Sequence, residues 1–284
     1  MGEVFIGSEA VNAGKLTEYQ LRRWFRPIFR DVYIAKRDTP SLRDRIFGAW
    51  LWSRRRAVVA GVAASALHGA AWVDDDIPIE LVFQNSRKQS GLIVRNEALA
   101  DDEITRVAGI PVTTRARTAF DVGRHYERDE AVARLDALMR SRAFSTEEVL
   151  VLAKHYRGAR GLRRLSVALP LVDGGAASPK ETWLRLLLID AGFPRPSTQI
   201  LVIDARRLVA QLDMGWEEFM VAAEYDGEYH RTNRRRYAWD VKRQRKVERL
   251  GWIDIRVIKE DREADIIGRV DEAMNSRGFY RDRR

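Results

Sequence analysis

Two short stretches, "LVAQLDMGW" (208–216) and "FMVAAEYD" (219–226), decide how the last part of this chain folds. Read as strands joined by a four-residue loop from Glu217 to Met220, they make an antiparallel hairpin in which Asp213 stands opposite Glu224, close enough to share an ion. Side chains alternate along a strand, so Glu224 and Asp226 share a face. The most arginine-dense run of the chain follows, "HRTNRRRYAWDVKRQRKVER" (230–249). It reads as one helix from about Arg235 to Leu250. Asp240, Arg243 and Val247 recur at three- and four-residue spacing and share the face turned back toward the hairpin. Arg234, Arg235, Lys242, Arg245 and Lys246 supply cationic groups, to be read either as phosphate contacts or as a solvated helix surface.

Downstream, "WIDIRVIKE" (252–260) supplies another strand before a final helix. On the other side, "LVDGGAAS" (171–178) is a Gly/Ala-rich linker. Ser178 and Pro179 then start a helix that buries Trp183, Leu184, Leu187 and Leu188 and stops at Gly192. Glu181 at the third helical position makes S-P-x-E a capping box, which is a structural role sufficient by itself. The segment "ILVID" (200–204) adds a strand ahead of the hairpin.

Residues 8–36 read as two short helices and a strand. Thr17 with Gln20 forms a capping box for "EYQLRRWF" (18–25), and "IFRDVYIAK" (28–36) alternates as a strand. This order is that of a small winged helix-turn-helix, whose second helix would bring Gln20, Arg22 and Arg23 to the major groove, with Arg26 and Arg30 on phosphates. Small residues over 61–69 suit close helix packing, and His68 beside them reads as structural. Three alternating runs within 77–114 suggest a small sheet, and two helices follow at 128–142 and 146–156, the second opened by Ser145 and Glu148 as a capping box. The expected division is thus 1–73, a winged-helix and helical region; 74–172, a middle α+β domain; and 173–284, a separate α/β domain.

Composition narrows the function classes. The chain has 284 residues, 45% of them hydrophobic, and a formal charge of +9, which favours a polyanionic partner such as DNA. No cysteine occurs, which excludes disulfides, thiolate catalysis and Cys-ligated zinc. No apolar stretch reaches the roughly 20 residues of a membrane span, and the first residues lack the pattern of a secretory signal, so a soluble, cytoplasmic protein is expected.

Clustered acids beside a cationic surface suit phosphodiester hydrolysis, in which Mg²⁺ (or Mn²⁺) activates water and neutralises charge on phosphorus. Asp213 and Glu224 are the expected metal ligands. His230, just past Gly227, stands where an imidazole could accept a proton from bound water, or could contact a phosphate or the backbone.

Four stretches, "VNAGKLTEYQLRRWFRPIFRDVYIAK" (11–36), "VVAGVAASALHG" (58–69), "TTRARTAFDVGR" (113–124) and "LVDGGAASPKETWLR" (171–185), together resemble actinobacterial proteins that pair an AbiEi-like antitoxin region with a nuclease-like C-terminus. Those relatives tend to carry Gly before the Val-Tyr of the wing, where this chain has Asp31. The C-terminal order resembles the restriction-endonuclease-like PD-(D/E)XK core, in its very-short-patch-repair-like branch, matched by Glu181, Asp213, Glu224, Asp226, Gly227, His230, Asp240, Arg243, Gly251 and Trp252. The resemblance implies an αβββαβ core with Glu181, Asp213, Glu224, Asp226, His230 and Arg243 as catalytic residues. The lysine usual two residues after the strand glutamate is Asp226 here, so a positive charge beside the attacking water would have to come from Lys242, Arg243 or His230. The leading expectation is a Mg²⁺-dependent DNA endonuclease, for which cutting both strands suits a homodimer. The alternative is a DNA-binding, antitoxin-like regulator with an inactive nuclease-like domain and a toxin partner.

Overall fold

The computed structural model describes residues 3–84, 88–227 and 234–281, with 234–241 described by backbone alone. The chain divides into two compact units, Met1–Pro170 and Leu171–Arg284, each mixing helices with sheet.

The first unit opens with β1 (Phe5–Ile6), α1 (Gly7–Asn12), α2 (Glu18–Trp24), β2 (Phe25–Phe29) and β3 (Val32–Ala35). The three strands pair antiparallel in the order β1-β3-β2. Thr17 and Gln20 open α2 as the expected capping box: Thr17 Oγ1 accepts the Gln20 amide at 3.2 Å and Gln20 Oε1 accepts the Thr17 amide at 2.9 Å. "IFRDVYIAK" is a tight hairpin rather than one strand, because the chain reverses at Asp31, whose φ of 61° lies in the left-handed region. Glycine would enter that region without strain, and aspartate is among the residues that tolerate it. Asp31 also does what glycine cannot. Its carboxylate accepts from the Ser8 amide at 2.9 Å, the Ser8 hydroxyl at 2.6 Å and Arg54 at 2.8 Å, tying the hairpin to α1 and to the chain beyond α3 (Leu42–Trp52).

Ile46, Ala49 and Leu51 of α3 share a buried cluster with Phe29, Val32 and Ile34 of the hairpin and with Val59, Ile79 and Leu81 of a second sheet. That sheet holds β4 (Val58–Ala60), β5 (Ile79–Val82), β6 (Leu92–Arg95), β7 (Ile104–Val107) and β8 (Ile110–Thr113), in the order β6-β5-β4-β8-β7. Its central strand β4, followed directly by α4 (Gly61–Leu67) where the small residues suit a helix, lies just ahead of the 61–69 stretch, within the part expected to be winged helix and helical. Three residues are too few to show alternation. β4 also carries the sheet across residue 73, the boundary expected from sequence. His68 is structural, its Nε2 2.8 Å from the Thr113 carbonyl.

Helices α5 (Arg115–His125), α6 (Arg128–Ser141), α7 (Thr146–His155) and α8 (Leu162–Ala168) complete the unit, with α5 packed against the other three. Ser145 Oγ accepts the Glu148 amide at 3.1 Å but turns to Glu147 at 2.9 Å, so α7 starts with half of the expected box. The sequence reading does not anticipate α5, because its buried face carries Arg117, Asp121 and Arg124 among Phe120 and Val122, which breaks the apolar periodicity.

The second unit runs α9 (Pro179–Asp190), β9 (Ser197–Asp204), β10 (Arg207–Trp216), β11 (Val221–Tyr225), α10 (Arg234–Arg249), β12 (Ile253–Val257) and α11 (Glu263–Ser276). The sheet order is β12-β11-β10-β9; β11 and β12 are parallel, with α10 between them in sequence, and the other pairs are antiparallel. Leu184 and Leu188 of α9, Met214, Trp216, Val221 and Ala223 of the hairpin, and Val270 and Met274 of α11 form one buried cluster. Leu212, Ala222 and Val247 belong to another, which seats α10. Among the described residues no helix is long and apolar enough to cross a membrane.

Replacing Asp31 tests the turn. Asp31→Ala keeps a left-handed residue and loses three hydrogen bonds, so the first unit should lose roughly 2–3 kcal/mol; Asp31→Gly, free of backbone strain, should lose about 1 kcal/mol less. Equal losses in urea titrations of the two variants would show that the left-handed backbone carries no cost.

Candidate functional site

Hairpin register builds the acidic cluster. Trp216 pairs with Val221, Gly215 with Ala222 and Met214 with Ala223, so Asp213 and Glu224 come next in line. Gly215 lets the strands approach: a Cβ there would lie 2.8 Å from Ala222 Cα. Asp213 Oδ2 accepts the Tyr225 amide at 3.0 Å, bridging the two strands. Glu224 is buried and receives both arms of Arg243 from α10, at 3.1 Å and 2.5 Å, while Arg243 also donates to the Gln211 carbonyl at 2.8 Å. Val247, one turn further along α10, is fully buried, so this face of the helix turns to the sheet as its spacing requires. Arg256, beside Glu224 in the parallel pairing with β12, lies 3.5 Å from Glu224, 3.6 Å from Asp226 and 3.5 Å from Asp254.

Glu181 turns mostly to its own helix start, accepting the Ala177 amide at 2.8 Å and the Ser178 hydroxyl at 3.1 Å. It remains near enough to act on Asp213, whose carboxyl is pushed up to about 7 by burial, then by the charges of Glu181 and Glu224. Asp254 is likewise raised to about 7 by burial and by Glu224. Sequence reasoning missed Asp254 and Arg256; the available signal is a lone acid and a lone base at alternate positions of the strand "IDIRV". Glu181, Asp213, Glu224 and Arg243 thus come together, Asp226 joins through Arg256, and His230 and the Asp240 side chain lie outside the described residues.

This arrangement does not suit a magnesium ion, which needs several carboxylate or water oxygens free to point at it. Both Glu224 oxygens are engaged by Arg243, and one oxygen of Asp213 is held by an amide. Among the described residues no group of three or more histidine or acidic side chains could hold a metal ion. Charge is neutralised from within instead, by two guanidinium groups and by protons on two aspartates that titrate near neutrality. Carboxyls with such values can exchange protons at neutral pH.

The cationic residues of α10 point elsewhere: Lys242, Arg245 and Lys246 are exposed, and the side chains of Arg234 and Arg235 lie outside the described residues. On α2, Arg22 is exposed and paired with Glu18 at 3.0 Å, and Arg23 lies over the rings of Tyr19 and Trp24, at 5.7 and 5.0 Å. Tyr19 and Trp24 are themselves 64% and 58% exposed, an uncovered aromatic surface beside an arginine that the sequence reading left out. Gln20 has its Oε1 occupied by the helix cap and keeps only its amide hydrogens for another partner. Arg26 donates to the Asp38 carbonyl at 2.8 Å, and Arg30 is exposed.

Comparison with known proteins supports the AbiEi-like part of the resemblance. Residues 52–171 match the family described as AbiEi antitoxin C-terminal domain. Two curated proteins of Mycobacterium tuberculosis, "Uncharacterized protein Rv2248" of strain H37Rv and "Uncharacterized protein MT2308" of strain CDC 1551, are each 29% identical over 236 residues, 82% of this chain and 85% of theirs. No solved structure matches.

The raised aspartates make the second unit sensitive to pH. Folded, Asp213 and Asp254 keep protons up to about pH 7, whereas unfolded aspartates lose theirs near pH 4. The folded state binds more protons across that window, so stability falls as pH rises through it and the loss is complete above about pH 7. The melting temperature should be at least about 4 °C higher near pH 5.5 than near pH 8, and Asp213→Asn should raise it near pH 8 and shrink the difference. A melt independent of pH would contradict the raised values. Arg243→Met strands the buried Glu224 and should cost about 3 kcal/mol in urea titration, much of it recovered when Glu224→Gln is added.

Proposed function

We propose that the chain is a DNA-binding, antitoxin-like regulator of the cytoplasm, with residues 171–284 serving as a nuclease-like module that does not hydrolyse DNA as built. The observation that carries this reading is the match of residues 52–171 to an antitoxin domain family. Earlier in the chain, before α3, lie the α1–α2 pair and the small antiparallel sheet, an order compatible with a winged helix. In this reading Arg22 and Arg23, with the exposed rings of Tyr19 and Trp24, face the duplex, and Arg26 and Arg30 stand toward phosphates. A net charge of +9 supports approach to a polyanion. A toxin partner and self-association belong to the same proposal.

The engagement of Glu224 by Arg243 argues against the Mg²⁺-dependent endonuclease reading, in which Asp213 and Glu224 would hold the ion. Both readings meet in one experiment. The protein is mixed with the DNA upstream of its own gene and with plasmid DNA, with and without Mg²⁺ or Mn²⁺. The regulator reading expects metal-independent retention of the upstream DNA, at least about tenfold weaker for Arg22→Ala/Arg23→Ala, and no nicking. Metal-dependent nicking that Asp213→Ala abolishes would replace it with the hydrolase.

A further inference from the structure

The first unit contains a cleft of about 1280 Å³ between the edge of β6, helix α5 and the loop that joins α7 to α8. Eight arginines and two glutamates line it, and no lysine or aspartate does among the described residues. Its floor is a buried ion network. Arg117 donates to Asp121 at 3.0 Å, to Glu97 at 3.0 Å and to Glu103, and Arg124 donates to Asp121 at 2.8 Å and to Glu97. Two guanidinium groups here face three carboxylates, so the floor itself adds no positive charge. The rim is different, because the loop "YRGARGLRR" (156–164) brings Arg157, Arg160, Arg163 and Arg164 to one wall. Arg164 pairs with Glu127 at 2.5 Å, whereas Arg160 and Arg163 are exposed and have no carboxylate partner among the described residues.

The wall is held in place. Gly161, at φ 85°, passes so close to the Arg124 carbonyl that any side chain would collide, and Arg124 in turn reaches the Arg160 carbonyl at 3.5 Å. Tyr156 sits under Arg117, 4.9 Å from its guanidinium carbon, and turns an edge to the exposed ring of His155. His125 also lines the cleft; its side chain is 11% exposed and its Nδ1 has no hydrogen-bond partner among the described residues. Burial, then the charges of Arg124, Arg95 and Arg117, push it down to about 3, so it stays neutral although Glu80 and Glu97 each lie 3.9 Å away.

We propose that this cleft is a phosphate-binding site that takes the polyphosphate of a nucleotide. Guanidinium groups match phosphate oxygens two by two, which suits a rim whose cationic side chains are all arginines. The exposed His155 ring at the same mouth, backed by Tyr156, offers a surface for a base. The site is independent of the regulator reading, since it involves none of the residues assigned to duplex contact.

Isothermal titration of the full chain with inorganic pyrophosphate, ATP and a short single-stranded oligonucleotide tests it. Saturable binding of pyrophosphate and ATP is expected, weakened at least about tenfold by Arg160→Ala/Arg163→Ala but not by Arg206→Ala/Arg207→Ala, which removes two exposed arginines elsewhere. An oligonucleotide that displaces ATP and binds more tightly would make the site one for nucleic acid and overturn its assignment to a nucleotide. Absence of saturable binding of either anion, equal losses in both double variants, or displacement of ATP by an acidic peptide with matching affinity would overturn the proposal.

Discussion

A carboxylate taken out of water must find a cation, a hydrogen bond or a proton, and that constraint organises both units of this chain. In the first unit Asp121 and Glu103 are met by Arg117, and Glu80, 1% exposed, is met by Arg95 and by the Tyr126 hydroxyl. In the second, Arg243 clamps Glu224, while Asp213 and Asp254 keep protons instead. At the turn of the first hairpin Asp31 is held by Ser8 and Arg54. Burial would raise its carboxyl, yet these bonds outweigh burial and hold it below the usual range.

The outcome at Glu224 separates two functions that share one set of residues. An acid hairpin beside a basic helix is the raw material of a metal-dependent hydrolase, because a divalent cation would supply the missing positive charge. Here a guanidinium from the same helix supplies it with two hydrogen bonds and a third to the strand carbonyl of Gln211, which leaves the pair satisfied without an ion. Opening the site would strand a buried glutamate. Asp213 and Asp254 exchange protons near neutrality beside this pair, and Asp213 also ties the two strands together.

Arginine serves contrasting purposes across the molecule. Arg117 and Arg124 are buried and balance acids inside the core, where their loss would leave charges unpaired. Arg22, Arg23, Arg160 and Arg163 are exposed; Arg22 pairs with Glu18 and Arg23 lies over Tyr19 and Trp24, while Arg160 and Arg163 have no carboxylate partner among the described residues. Net charge alone does not distinguish these groups; burial does.

The sequence by itself determined the periodic elements and the local turn chemistry. The Thr17–Gln20 box, the Ser178 helix start and the strands over 200–226 were legible because capping and alternation are local properties of neighbouring residues. The four-residue loop was enough to put Asp213 in line with Glu224, since antiparallel register follows from loop length. Tertiary structure decided the rest. The strand β4 exists because β5 and β8 flank it, and α5 is helical with a charged buried face because Glu97 and Glu103 arrive from distant segments to receive its arginines. Asp254 joined the acids only through parallel pairing across α10. Whether Glu224 faces a metal ion or a guanidinium turned on where α10 packs, a question of three-dimensional distance that residue spacing along the chain does not encode.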